Sequence, residues 1–195
     1  STALVTTPPQ TSWKELGRTT LGSAGDSINV ASFAAKDNIM ILTHAIQNGV
    51  IIPSYQFNGD TGNNYCIRHA INGNSDGTAG GGAKIQWSNA GTNDDNFGVG
   101  EINNIANKEK FVLQHAIKSD QGAGNAPNRE ENIGKWANTS AQITTVNVMN
   151  TQSGDFNTGS EVVVLGFNDD EADSGTNFWQ ELADVSVSSG STIDT

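Results

Sequence analysis

The apolar residues of this chain come in short bursts and never form a long helical stripe. "WKELGRTTL" (13–21), "INVASF" (28–33), "NIMILTHAIQ" (38–47), "VIIPSYQF" (50–57) and "NYCIRHAI" (64–71) follow one another. "AKIQWS" (83–88), "FGVGEINNI" (97–105), "EKFVLQHAI" (109–117), "QITTVNVMN" (142–150) and "SEVVVLGF" (160–167) continue the series. Each run alternates or is apolar over one strand's length, and Gly, Asn, Asp or Ser bounds it. About ten such runs at roughly 10–15-residue spacing predict an all-β chain, an antiparallel β-sandwich that is jelly-roll-like. "NG" at 48–49 predicts a two-residue hairpin turn, with 50–57 returning from it, and "NK" at 107–108 predicts a tight turn. "NREENIGKWANTSA" (128–141) breaks the pattern and reads as a short helical turn.

Composition agrees with strands and turns. Charged residues are 16% of the chain, and the 22 glycines outnumber the 4 prolines. Gly, Asn, Ser and Thr are poor in helix interiors. The net charge is −11, with a pI near 4.4. Such a surface repels phosphate, so neither nucleic acid nor an anionic membrane is expected as a partner. No run is long and apolar enough to insert in a membrane. Cys66 is the single cysteine, which excludes an internal disulfide, and its alternating context "YCIRHAI" makes it an inert strand thiol. The residues after Ser1 do not read as a signal peptide, and the expectation is that a leader or initiator Met has been removed.

The layout follows from breaks in the pattern. Residues 1–12, with Pro8 and Pro9, read as an extended N-terminal arm. Residues 13–167 form the sandwich, and 168–177, "NDDEADSGTN", form an acidic linker. Residues 178–195 repeat the opening of the domain. "WQELADVSVSSGSTIDT" from Trp179 matches "WKELGRTTLGSAGDSINV" from Trp13 at Trp, Glu and Leu, then at Ser23/Ser189. After a short gap Gly25 meets Gly190 and Ile28 meets Ile193, while Leu21 and Val187 keep an apolar position. The repeat predicts tandem copies in a longer polypeptide. Its other readings are terminal strands of this one sandwich, or strands exchanged with a neighbouring subunit.

The motifs "WKELGRTTLGSAGD", "FNGDTGNNY", "GAGNAPNREENIGKW" and "GDFNTGSEVVVLG" resemble marine phage and virus-like structural domains. These are repeated β-sandwiches of tail fibres, head fibres or capsid decoration. The resemblance spans about residues 13–167 and brings no catalytic residues with it. It implies a virion or extracellular surface location. Its implied partners are identical subunits and other virion or surface-assembly proteins.

Candidate sites are few. Asp60 and Asn63, with Asn64 beside them and Asp76 in the next turn, offer oxygen ligands in a Gly-containing loop, as calcium prefers. Asp94 and Asp95, and Asp169 and Asp170, are the other calcium candidates. Each set reads equally as turn or linker chemistry. No cofactor is required, and calcium is the one candidate. "GTAGGGA" (77–83) lacks the Lys-Ser/Thr ending of a phosphate loop. His44, His69 and His115 recur in "HAI" contexts and would need neighbouring strands to hold zinc. Glu101 and Glu109 are the only pair of carboxylates resembling a glycosidase dyad.

Trp87 and Trp136, beside amide side chains, are the candidates for stacking on a host glycan. Assembly contacts fall on Pro8, Pro9, Trp13, Trp179, Leu182 and Val187. The expected function is a non-enzymatic structural subunit of an extracellular assembly: a virion fibre, tail or capsid-decoration protein. The alternatives are a glycan-binding adhesin module, calcium-dependent in one version, and a cell-surface filament subunit.

Overall fold

A computed structural model describes residues 13–87, 95–118, 122–124 and 126–168. The predicted arm, the end of the linker and the second repeat therefore lie outside the described residues. So do Pro8, Pro9, Asp94, Asp169, Asp170, Trp179, Leu182 and Val187. Among the described residues there is no helix.

The chain runs through β1 (Lys14–Thr20), β2 (Ser27–Val30), β3 (Asn38–Ala45), β4 (Gln47–Asn48) and β5 (Pro53–Phe57). It continues through β6 (Tyr65–Ile71), β7 (Gly77–Gly82), β8 (Ile85–Gln86), β9 (Asn96–Asn103) and β10 (Lys110–Lys118). The last strands are β11 (Asn128–Trp136), β12 (Val146–Asn150), β13 (Asp155–Phe156) and β14 (Glu161–Phe167). An eight-stranded sheet has the order β1-β14-β3-β9-β10-β11-β6-β7, and a four-stranded sheet has the order β2-β12-β5-β8. β13 and β4 form a two-stranded ribbon. All pairings are antiparallel, and successive strands repeatedly switch between the two main sheets. This is an antiparallel β-sandwich, as the sequence pattern predicts.

The core lies between the sheets. Ile39 and Ile41 on β3, Val162 and Val164 on β14, and Val112 on β10 meet Ile28, Val146, Val148, Tyr55 and Phe57 from the smaller sheet. The small sheet supplies bulky rings, and the large sheet supplies glycines where those rings land. A Cβ on Gly98 would come within 2.4 Å of Trp87 Cζ3, and one on Gly100 within 3.0 Å of Tyr55 Cε2. Glycine at these strand positions is a packing requirement, because the partner ring occupies the space of its missing side chain.

Two expectations need correction. Residues 128–136 are a nine-residue strand, not a helical turn. β11 alternates strictly, but its inward set includes Glu130, Asn132 and Gly134, so polarity does not reveal the period. Full pairing with β10 on one side and β6 on the other decides the conformation. The "NG" turn is real, with Gly49 at φ 92, but it does not close a hairpin between flanking strands. β3 pairs with β14 and β9, while β5 pairs with β12 and β8. The turn instead hands the chain from one sheet to the other through the β4–β13 ribbon. The tight turn at 107–108 is present, and Asn107 adopts φ 60.

Candidate functional site

The loop "FNGDTGNNY" between β5 and β6 is a structural staple. Asn58, at φ 51, donates from Nδ2 to the Gln142 carbonyl at 2.8 Å. Its Oδ1 accepts from the Thr144 amide at 2.9 Å and the Thr145 amide at 3.1 Å. Asp60 accepts three bonds: from the Gly62 amide at 2.8 Å, from Asn64 Nδ2 at 2.9 Å and from Trp136 Nε1 at 2.7 Å. The Trp136 bond, with those of Gly62 and Asn64, holds its carboxyl below the usual carboxylate range against the opposing effect of burial. Asp60 is therefore engaged in closing its own loop over Trp136. Asn63 is exposed beside it. Asp95 accepts a bond from the Gln47 amide at 3.3 Å. Asp76 pairs with Arg68 at 3.0 Å. Among the described residues no three His, Cys, Asp or Glu side chains gather as a metal cluster.

The two glycan-stacking candidates are core residues. Trp136 is 0% exposed and Trp87 is 1% exposed. Trp136 packs against Phe57 and Tyr65 at centroid distances of 6.0 and 6.3 Å, and Trp87 packs against Tyr55 at 5.4 Å. A sugar stacks on an exposed ring face, and neither ring has one here, so this expectation is corrected. Trp136 ends a strand whose even-numbered residues point inward, and Trp87 fills the space left by Gly98.

The remaining candidates stay apart. His44 and His115 are exposed on the outer face of the large sheet, whereas His69 lies behind it against Gly77. Glu109 binds Lys135 at 2.7 Å, and Glu101 stands between Met40 and Leu113. Trp13 stacks edge-on against Phe167 at 4.8 Å and closes the end of the β1–β14 pair.

The first copy of the repeated motif is fitted to its place beside β14. Val30 Cγ1 would lie 2.7 Å from a Cβ on Gly17. Arg18 bonds Glu161 at 2.6 Å, and Thr20 bonds it at 2.5 Å. The second copy carries Ala183, Asp184 and Ser186 at the matching positions.

A cavity of about 120 Å³ opens on the inner face where the large sheet extends past β8. His69, Gln86, Trp87, Glu130 and Asn132 line it, with Ile67 and Ile71. Among the described residues, Trp87 Nε1 and His69 Nδ1 have no hydrogen-bond partner. The space suits ordered waters, which commonly satisfy such buried polar atoms.

The feature that sequence reasoning missed lies on the other side of the large sheet. β10 alternates as Lys110, Val112, Gln114, Ala116 and Lys118 inward, and Phe111, Leu113, His115 and Ile117 outward. Its outward set is the more apolar one. Phe97 on β9 and Ile133 on β11 extend that surface, since Ile117 pairs with Phe97 and Leu113 pairs with Ile133. All five of these apolar side chains are 47–57% exposed. Half-buried Met40, Leu42, Val99 and Leu165 continue the same face across β3, β9 and β14. Inward polarity at Lys110 is accommodated: its Nζ donates to the Lys108 carbonyl at 2.5 Å and the Asn138 carbonyl at 3.1 Å, and burial lowers its pKa. Compared with known proteins, the chain matches no protein-family model, no curated protein and no solved structure.

Proposed function

We propose that this chain is a non-enzymatic structural subunit of an extracellular assembly, of the virion fibre, tail or capsid-decoration kind. One observation carries the reading: the broad apolar outer face of the eight-stranded sheet, centred on Leu113. A contiguous exposed patch of this kind marks a surface that meets another protein. The strongly acidic, glycine- and asparagine-rich composition fits a domain kept soluble outside such contacts. The resemblance of its turn motifs to phage structural domains supports the virion context. The repeat at Trp179 supports an architecture built from many copies of one sandwich.

The burial of Trp87 and Trp136 removes the residues on which the adhesin alternative rested. Sedimentation velocity of the full chain, with and without a panel of simple sugars, tests the reading. Concentration-dependent assembly that ignores sugar is expected. A monomer with saturable sugar binding would overturn it and favour an adhesin.

A further inference from the structure

We propose that the outer face of the large sheet is where two copies of this chain meet, with β10 lying antiparallel across β10 of the second copy. This rests on the assembly reading above and names the partner of that surface.

Area is the first argument. Phe97, Phe111, Leu113, Ile117 and Ile133 are each about half exposed. A half-exposed side chain of this size leaves roughly 100 Å² uncovered, so the five offer roughly 500 Å². Met40, Leu42, Val99 and Leu165 fill the spaces between them. One side of a standard protein–protein interface is roughly 800 Å². This face alone supplies most of that area, and it is a sheet surface onto which a second sheet can stack at about 10 Å.

Self-complementarity is the second argument. A two-fold axis near Gln114 reverses the outward order Phe111, Leu113, His115, Ile117. Phe111 then meets the second copy's Ile117, so both apolar ends of the strand find apolar partners. Leu113 meets the second copy's His115. Glu101 flanks Leu113 in register, so each imidazole also reaches the other copy's carboxylate. Margin charges are already matched within each chain: Arg18 with Glu15 and Glu161, Lys135 with Glu109, and Arg68 with Asp76. Covering the face leaves these pairs intact and brings two further carboxylates into the contact: Glu101, in register with Leu113, and Glu131, in register with His115. Two chains of net charge −11 repel, so apolar burial drives the contact and added salt strengthens it.

Light scattering of the full chain against concentration, paired with Leu113→Glu, provides the test. The native chain should dimerise, and Leu113→Glu should raise the dimer dissociation constant by about a hundredfold or more, because it adds a carboxylate beside Glu101 and Glu131 at the centre of the contact, where one imidazole faces all three. Leu113 is exposed within the single chain, so an unchanged circular dichroism spectrum separates this effect from misfolding. In a Cys66→Ser background, the Leu113→Cys variant should be joined to a second copy by a short bis-maleimide. An oligomer whose mass Leu113→Glu leaves unchanged, and which does not cross-link, overturns this pairing while the assembly reading stands. A monomer at every concentration whose introduced thiol reacts freely overturns both. A monomer whose thiol is blocked assigns the face to a segment of the same chain and overturns the pairing.

Discussion

Asp60→Ala separates a structural carboxylate from a calcium ligand. In the native chain the side chain of Asp60 accepts bonds from Gly62, Asn64 and Trp136 at 2.7–2.9 Å. Alanine removes all three acceptors. Trp136 is 0% exposed, so its indole N–H loses its partner inside the protein. An orphaned buried donor costs about 1–3 kcal/mol, and loss of the bonds that close the loop brings the total to about 2–4 kcal/mol. At roughly 2–4 °C per kcal/mol for a domain of this size, the melting temperature should fall by about 5–15 °C.

Acid sharpens the test. The folded pKa of Asp60 lies below its ordinary value of 3.8, so the carboxylate contributes stability above that value. The contribution disappears as pH falls through the folded pKa. Asp60→Asn should therefore flatten the acid limb of the stability profile, measured by urea unfolding from neutral pH downward. Calcium and chelator should leave the native melting temperature unchanged through this residue. An Asp60→Ala variant as stable as the native chain, or a calcium-dependent shift that Asp60→Ala abolishes, would refute the reasoning.

Other outcomes follow from the packing. Gly98→Ala places a methyl 2.4 Å from Trp87 Cζ3 and should cost about 1–3 kcal/mol in chemical denaturation, with a change in tryptophan fluorescence. Asn104 is fully buried, with its side chain bonded to the Ile143 amide at 2.7 Å and to the Lys36 and Ile143 carbonyls at 2.8 and 3.2 Å. Asn104→Ala should therefore destabilise by about 2–4 kcal/mol in the same assay. Lys110 has a folded pKa below 10.5, so the folded chain releases that proton more readily than the unfolded one. Stability should rise as pH climbs from the folded value toward 10.5, and Lys110→Met should abolish that rise in paired urea melts.

Much of the fold was legible in the sequence because period-2 alternation and turn residues are local signals. The runs at 38–47, 97–105 and 160–167 became β3, β9 and β14. β11 was hidden because its inward residues are Glu130, Asn132 and Gly134, which read as polar or breaker positions. Which side of β10 faces the core was also unreadable. "KFVLQHAIK" places its larger apolar residues outward, and only the register against β9 and β11 reveals it. Trp87 and Trp136 stood beside amides in sequence, yet the fold folds both rings inward, a choice fixed by Gly98 and by the loop of Asp60. Asp60 looked like a ligand because turn chemistry and calcium chemistry use the same residues.

A contact surface on the outer face of the large sheet must lose solvent access when the chain assembles. Hydroxyl-radical footprinting of Phe97 and Phe111 in the full chain tests it most directly, from dilute solution to concentrations where the protein assembles. Labelling of both rings should fall as assembly proceeds, while exposed residues away from the face keep their reactivity. Constant, rapid labelling of both rings in the assembled state would contradict it.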